Sequence, residues 1–158
     1  MNVETAAAGL RGCIERANLL FGRIPASVTQ LALRFALAVP FWRSGLTKWE
    51  GFGNISDTAV YLFEEEFRLH LFGQTIAYPA PTAVAWLSGI AEIVLPILLV
   101  LGLLTRFAAL GILAMTLVIQ LTVPHAWANF HLPWAAMALA LMTWGPGRLS
   151  LDRLLERR

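Results

Sequence analysis

Residues 82–104 read TAVAWLSGIAEIVLPILLVLGLL, a long apolar run in which Glu92 is the single charged residue. A segment of about 20 predominantly apolar residues is long enough to cross the hydrocarbon core of a bilayer as an α-helix. Lipid offers the backbone no hydrogen-bond partners, and within a helix the segment satisfies its own amides and carbonyls. The run therefore predicts a transmembrane helix, and with it an integral membrane protein.

Three further stretches complete a predicted bundle of four membrane helices. Residues 107–123 carry no charge, residues 27–49 contain charged side chains, and residues 129–145 form a short stretch. Proline at position 133 is compatible with the first turn of a helix, where its missing N–H costs nothing. We predict an all-α fold: an amphipathic cytoplasmic-face segment (1–25), a transmembrane four-helix bundle (26–147) and a basic cytoplasmic tail (148–158).

The composition of the 158-residue chain excludes several classes of function. Charged residues make up 14% of the chain and hydrophobic residues 58%, whereas soluble domains contain about 25% charged residues. The formal net charge of +2 provides no basic surface of the kind that binds nucleic acid. The single cysteine, Cys13, excludes an internal disulfide and a paired-thiol redox centre.

The basic residues are divided unequally between the two sides of the predicted bundle. Eight of the twelve fall on one side, whereas the loop between the first two spans holds Asp57, Glu64, Glu65 and Glu66. The positive-inside rule assigns the basic side to the cytoplasm, so both termini are predicted to be cytoplasmic. The eight residues are Arg11, Arg16, Arg23, Arg106, Arg148, Arg153, Arg157 and Arg158.

Two segments outside the spans are predicted to form structure of their own. Residues 6–21 repeat apolar side chains at helical spacing, which indicates an amphipathic helix in the cytoplasmic interface, with a frayed tail as the alternative. Residues 58–71, inside the long loop, are predicted to form a short helix that covers the bundle. The apolar positions of the first segment are Ala6, Leu10, Cys13, Ile14, Ala17 and Phe21.

Arg34, Arg43 and Glu92 are ionisable side chains that lie away from the ends of the predicted spans. Each costs on the order of a few kcal/mol in lipid, so each is expected to be paired or hydrated. At 100° per residue, Arg34, Gly45 and Lys48 share one face of the first helix, and Arg43 points the opposite way. We predict a polar intramembrane site formed by Arg34, Lys48 and Glu92.

Two interpretations of this site remain open. In the first, Glu92 with Arg34 or Lys48 lines a polar pocket that holds an anionic or quinone-like head group, or relays protons. In the second, the charges form an ion pair that fixes helix register, and Lys48 snorkels to the interface. Close helix packing is predicted at Gly45, Gly89 and Gly102.

Catalytic and metal-binding motifs are not found in the sequence. His125 and His131 are six residues apart, which matches no compact metal-ligand spacing. The run Gly51-Phe52-Gly53 lacks the third glycine of a dinucleotide fingerprint and follows no predicted strand. We predict no catalytic residue and no metal site.

Two runs near helix ends have simple predicted roles as turns and anchors. The run LGLLTR at 101–106 ends the second span with an arginine that anchors the cytoplasmic turn, and the run GPGRLSLD at 145–152 ends the fourth. A serine in the second run can cap a terminal helical turn. The predicted turn and anchor residues are Arg106, Gly145, Gly147, Arg148, Ser150 and Asp152.

These two runs combine with residues of the first two helices into a pattern that covers about residues 26–155. The added residues are Arg34, Phe41, Gly45, Lys48 and Glu92. The combination resembles the DoxX family of small four-helix bacterial membrane proteins. The resemblance implies a bacterial inner-membrane location and a connection to redox chemistry, because members serve as the membrane subunit of a thiosulfate:quinone oxidoreductase and in a membrane-associated oxidoreductase complex.

The chain has neither a cofactor motif nor a cysteine pair, so the resemblance implies an accessory membrane subunit rather than an enzyme by itself. Its expected cofactor is a quinone, and its expected partners are the lipid bilayer and a soluble redox protein. Two alternatives use the same residues differently. One is a small transporter or permeability factor, and the other is a membrane assembly scaffold without a ligand.

Overall fold

The computed structural model describes residues 3–156, with side chains from Arg11 onward. Arg157 and Arg158 of the predicted basic tail, and the side chains of Ala6 and Leu10, lie outside the described part. The described chain is mostly helical. Its elements are α1 (Val3–Phe21), α2 (Ala26–Leu46), β1 (Trp49–Gly51), β2 (Asn54–Ile55), α3 (Asp57–Tyr61), β3 (Arg68–Leu71), β4 (Gln74–Ala77), α4 (Pro81–Leu101), α5 (Thr105–Thr122), α6 (Leu132–Trp144) and α7 (Leu151–Leu155).

Helices α2, α4, α5 and α6 pack in a ring, in which α2 and α5 each contact both α4 and α6. Large apolar side chains such as Leu87 and Leu117 remain exposed on the outer faces of the ring, as expected for a surface that contacts lipid. Small and branched side chains fill the centre. The buried core residues are Leu37, Ala38, Phe41, Leu99, Ala108, Ala109, Ile112, Ala138 and Leu141.

Two of the described helices, α4 and α5, are individually long and apolar enough to cross a membrane. A third span results if α1 and α2, which are bent by 69° at their junction, are counted together as one broken span. Helix α6 has 13 residues and extends about 20 Å, less than the roughly 30 Å of a hydrocarbon core. A π-helical turn at Trp127–His131 precedes it. The four-span count therefore stays a prediction.

The helix ends differ from the predicted spans by a few residues, for local reasons. Helix α2 ends at Leu46 instead of residue 49 because the chain turns there and enters β1. Helix α4 ends at Leu101 because Gly102 has a φ of 67° and the next amide returns to the Leu98 carbonyl, a common glycine C-cap. Helix α5 begins at Thr105, two residues early, because the carboxylate of Asp152 accepts hydrogen bonds from its first amides.

The segment between α2 and α4, residues 47–80, covers one end of the ring and is called the cap below. The predicted helix over residues 58–71 is wrong in its second half: α3 continues through a π-helical turn only to Glu66, and β3 and β4 follow as an antiparallel hairpin. The hairpin turn is Phe72-Gly73, and both residues have positive φ, which suits the twist of a two-residue hairpin loop. The fold is therefore not purely helical.

Helix α1 forms where the sequence predicts an amphipathic helix. Among its described side chains, Ile14 and Phe21 are exposed, at 51% and 69%. Arg11 and Glu15 are exposed as well. Its placement in a membrane interface stays a prediction.

Candidate functional site

An ion pair between Lys48 and Glu92 lies beneath the cap. The Lys48 Nζ atom is 2.6 Å from Glu92 Oε2, and the two side chains are 14% and 6% exposed. Lys48 also donates to the Ser44 hydroxyl at 3.2 Å. Glu92 is close to the middle of α4, so the pair is a charged group inside the helix ring rather than at its surface.

The pair forms because α2 and α4 approach each other closely at Gly45. A Cβ atom on Gly45 would lie 2.8 Å from the backbone oxygen of Glu92, which is closer than real Cβ contacts. The missing side chain lets the two backbones touch. Lys48 lies three residues beyond Gly45, on the same helical face, and its ammonium group therefore reaches the Glu92 carboxylate.

A cavity of about 410 Å³ adjoins this ion pair. Its walls come from the cap and from one end of each of the four ring helices. Most of the lining side chains are apolar, and the polar ones are few. The polar lining residues are Ser44, Lys48, Tyr78, Ser88, Glu92 and Thr122, and the large apolar ones are Phe41, Phe63, Phe67, Leu87, Met115, Ile119 and Trp134.

Two hydrogen bonds fasten the cap over the cavity. The Tyr78 hydroxyl pairs with the Thr122 hydroxyl at 2.5 Å, and the His70 ring nitrogen lies 3.1 Å from the Leu121 carbonyl. The Phe63 ring packs edge-on against the Tyr78 ring at 5.3 Å. The β3–β4 hairpin is therefore held against the C-terminal end of α5. Sequence reasoning did not identify Tyr78 or Thr122 as part of the site, since nothing in their local sequence indicates contact across 44 residues.

The ion pair has hydrogen-bonding capacity to spare. A lysine ammonium has three donors, of which Ser44 and Glu92 accept two. Among the described residues, no hydrogen bond is recorded to the second carboxylate oxygen of Glu92. The pair thus presents one donor and one acceptor close to an apolar cavity, which is the arrangement of a small-molecule site that orients a mostly apolar ligand.

Arg34 lies at the opposite end of the ring, and its predicted grouping with Glu92 is wrong. Its guanidinium donates hydrogen bonds to four backbone carbonyls instead of a carboxylate. Glu92 is seven residues, about 10 Å, before the first of these carbonyls along α4. The acceptors are Leu99 (2.6 Å), Val100 (2.5 Å), Pro146 (3.1 Å) and Leu149 (2.6 Å).

These contacts explain how a cation is buried at 1% exposure without a salt bridge. The last carbonyls of a helix have no intrahelical partner and carry the negative end of the helix dipole. Arg34 donates to two carbonyls in the last turn of α4, of which that of Leu99 also accepts from the Gly102 amide, and joins them to the chain after α6. We call this region, with the turns on either side of it, the arginine end.

The two predicted turn runs contact each other at the arginine end. Asp152 accepts from the amides of Leu104 and Thr105 at 2.7 and 2.9 Å, and its own amide donates to the Gly102 carbonyl at 2.9 Å. A Cβ on Gly102 would be 2.5 Å from the Ser150 Cβ. Ser150 caps α7 by accepting from the Arg153 amide.

The remaining predicted residues take varied positions. Gly89 lies beneath the Trp49 ring, where a Cβ would be 3.1 Å from a ring carbon. Gly145 and Gly147 have positive φ and turn the chain after α6. Arg106 and Arg148 are exposed. His131 is buried at 2% exposure and bonds to Gln120.

Comparison with known proteins identifies the family of the chain. The DoxX family model matches residues 29–125. An uncharacterized protein of Haemophilus influenzae is 33% identical over 147 residues, which cover 85% of this chain and 87% of that protein. An uncharacterized membrane protein of Mycobacterium tuberculosis is 38% identical over 103 residues, 54% of this chain and 63% of the relative. No solved structure matches the chain significantly. The chain therefore belongs to the DoxX family of membrane proteins.

Proposed function

We propose that the protein is an accessory subunit of a quinone-linked redox system in the bacterial inner membrane, and that the cavity beneath the cap holds the quinone head group. The observation that carries this proposal is the Lys48–Glu92 pair, which has unused hydrogen-bonding capacity at the wall of a largely apolar cavity. The protein supplies binding and orientation, and a soluble redox partner supplies the chemistry.

The chemistry of a quinone head group fits this cavity. Its volume of about 410 Å³ lies in the range of small-molecule pockets, which combine apolar walls with a few polar groups. A quinone oxygen can accept from the spare N–H of Lys48, and a hydroquinone hydroxyl can donate to Glu92. The aromatic rings of Phe41, Phe63 and Trp134 offer faces against which a flat ring can stack.

The proposed membrane arrangement is a four-helix bundle over residues 26–147 with the arginine end in the cytoplasm. The mutual packing of α2, α4, α5 and α6 supports this arrangement, as does the clustering of basic residues on one side under the positive-inside rule. In this arrangement residues 1–25 form an interfacial segment and residues 148–158 a basic tail. The cavity then opens near the outer surface, at the depth where a quinone ring can enter from lipid.

A transporter using a polar track through the bundle has less support. Such a track requires Arg34, Lys48 and Glu92 to follow one another, but Arg34 donates four hydrogen bonds to carbonyls at the far end. Buried Leu37, Leu99 and Ile112 form an apolar core in the ring. Flux of a small solute into proteoliposomes that contain the purified protein alone would favour the transporter.

Quinone binding is tested with the purified protein in nanodiscs, by quenching of tryptophan fluorescence on addition of a short-chain benzoquinone. Glu92→Gln and Lys48→Met are each expected to weaken binding about tenfold, since a hydrogen bond to a charged group contributes about 1.5 kcal/mol or more. Glu65→Gln is the matched control, because Glu65 is exposed on the cap.

Thermal unfolding of the same preparations separates binding from folding. The proposal predicts that Glu92→Gln retains a normal amount of folded protein while it loses affinity. Equal loss of folded protein and of quinone binding would favour a purely structural ion pair. Unchanged quenching in both variants would exclude the cavity as the quinone site, and a scaffold without a ligand would then be the better account.

A further inference from the structure

A second cavity, of about 480 Å³, lies at the arginine end, away from the Lys48–Glu92 pair. It is bounded by the start of α2, the start of α5 and the chain after α6. Three arginines line it, against one carboxylate. These charged lining residues are Arg106, Arg148, Arg153 and Glu156.

The guanidinium groups of this cavity are available to a ligand. Glu156 is occupied by Arg153, at 3.2 Å on the surface. Among the described residues, no hydrogen bond or ion pair is recorded for the side chains of Arg106 and Arg148. The Arg106 guanidinium lies beside Gly145, whose hypothetical Cβ would be 3.5 Å from it. The cavity therefore has an excess of positive charge with no partner in the described chain.

The opposite wall adds to the attraction for an anion. Pro25, Ala26 and Ser27 line the cavity, and they form the beginning of α2. This helix has no side-chain cap and no acidic residue in its first turn. The positive end of its dipole and its first amides are consequently uncompensated. This helix end supplements the arginines and would not form a site without them.

Exposed apolar side chains lie at the cavity and next to it in the chain. Trp144 lines the cavity and is 65% exposed, and Phe107, next to Arg106, is 73% exposed. An amphipathic tryptophan is typical of the headgroup level of a membrane. A ligand in this cavity therefore has an anionic group among arginines and continues along an apolar surface, which is the chemistry of a phospholipid.

We infer that this cavity binds the phosphate headgroup of an anionic phospholipid, with Arg106 and Arg148 as its ligands and its acyl chains along Phe107 and Trp144. Planar guanidinium groups bind phosphate oxygens in pairs of parallel hydrogen bonds, and basic pockets between membrane helices are a known form of lipid headgroup site. The inference concerns the arginine end alone and does not depend on quinone binding beneath the cap.

Native mass spectrometry of the full chain in mild detergent tests this inference. Phosphatidylglycerol is titrated against phosphatidylcholine, and retained lipid is counted for the wild type and for the Arg106→Gln/Arg148→Gln double variant. The wild type is expected to retain phosphatidylglycerol preferentially. The double variant should weaken that retention by roughly fivefold for each arginine, and leave phosphatidylcholine retention unchanged. Arg43→Gln is the matched control, since Arg43 is exposed on α2 near its other end.

Several results would overturn the inference. Equal retention of the two lipids by the wild type would show that the cavity has no preference for an anionic headgroup. Equal phosphatidylglycerol retention by the wild type, the double variant and Arg43→Gln would exclude Arg106 and Arg148 as ligands. Complete displacement of phosphatidylglycerol by an excess of inorganic phosphate would assign the site to a free anion. A second variant, Arg106→Lys/Arg148→Lys, keeps the charge and should retain part of the lipid, which guards against misfolding of the glutamine variant.

Discussion

The two ends of the helix ring each bury a cation, but they satisfy it differently. At the arginine end, the Arg34 guanidinium donates to four backbone carbonyls, two in the last turn of α4 and two in the turn between α6 and α7. Beneath the cap, Lys48 pairs with the Glu92 carboxylate beside a cavity. Arg34 is closely packed: a Cβ atom added to Gly102 would lie only 2.9 Å from the Arg34 Cζ atom.

This difference separates a structural charge from a candidate functional one. A buried cation that donates four of its five N–H groups to backbone carbonyls connects segments of the chain, and little of its capacity remains for a ligand. A pair that keeps a spare donor and a spare acceptor beside open volume can bind a small molecule. Replacing Arg34 should therefore reduce stability, and changes beneath the cap should reduce ligand affinity more than stability.

The largest effect is expected from Arg34→Met. Methionine is of similar length but has no donors, so the carbonyls at the end of α4 and in the turn after α6 lose a charged partner. Unsatisfied buried carbonyls and the loss of a charged hydrogen-bond network should lower the free energy of unfolding by about 3 kcal/mol. Thermal unfolding in detergent and the yield of monodisperse protein measure this loss.

Arg43→Met on the same helix provides the control for Arg34→Met. Arg43 is exposed, and its replacement should change stability by no more than about 0.5 kcal/mol. Folded Arg34→Met protein should bind benzoquinone with the affinity of the wild type. If Arg34→Met keeps its stability and loses quinone affinity, the assignment of structural and functional roles to the two ends is reversed.

Comparison of Arg34 with Lys48 also shows what the sequence could predict. The apolar runs predict α4 and α5 to within a few residues, because an apolar segment in lipid must satisfy its own backbone hydrogen bonds and does so as a helix. Helical geometry assigns Lys48 to the face of Gly45, and its ammonium group contacts Glu92 on α4. The same geometry assigns Arg34 to that face as well, but it contains no information about carbonyls freed at a helix end 65 residues away. The carbonyl acceptors of Arg34 come together only when the chain folds.

The cap shows a second limit of sequence reasoning. The helix predicted over residues 58–71 is interrupted because Arg68–Leu71 alternates polar and apolar residues and meets Gln74–Ala77 across the turn Phe72-Gly73. That alternation is visible in the sequence, but four residues are too few to distinguish a strand from a helix end. The contact of Tyr78 with Thr122 depends on how the cap packs against α5. No local sequence pattern indicates that packing.

A smaller effect on stability is expected from Gly45→Ala, with a clear effect on the ligand. The new Cβ would be 2.8 Å from the Glu92 backbone oxygen, so α2 and α4 must separate, at a cost of about 1–3 kcal/mol. Lys48 then moves away from Glu92. Quinone affinity should therefore fall more than in a variant that lowers the melting temperature equally through a change away from the cavity. Quenching titrations well below the melting temperature measure this difference.

Gly111→Ala is the matched control for Gly45→Ala. Its new Cβ would meet only the end of the flexible Leu95 side chain, at 3.0 Å, and alanine favours a helix interior over glycine. We expect near-normal stability and normal quinone affinity. If both alanine variants lose affinity equally, close approach of α2 and α4 is not what forms the site.

The smallest effect on stability is expected from Tyr78→Phe, which removes the hydroxyl that joins the cap to Thr122. The phenylalanine ring keeps its contact with Phe63, so the loss should be limited to one hydrogen bond, about 1 kcal/mol. Because His70 still contacts the Leu121 carbonyl, the cap should stay folded but open more often. Amide hydrogen exchange in β3 and β4 should then accelerate about fivefold, while exchange at the arginine end stays the same.

Tyr61→Phe is the control, because Tyr61 is the other tyrosine of the chain and is exposed. It should leave exchange in the hairpin unchanged. Faster exchange in both tyrosine variants, or at both ends of the ring, would mean that the cap is not an independently opening unit.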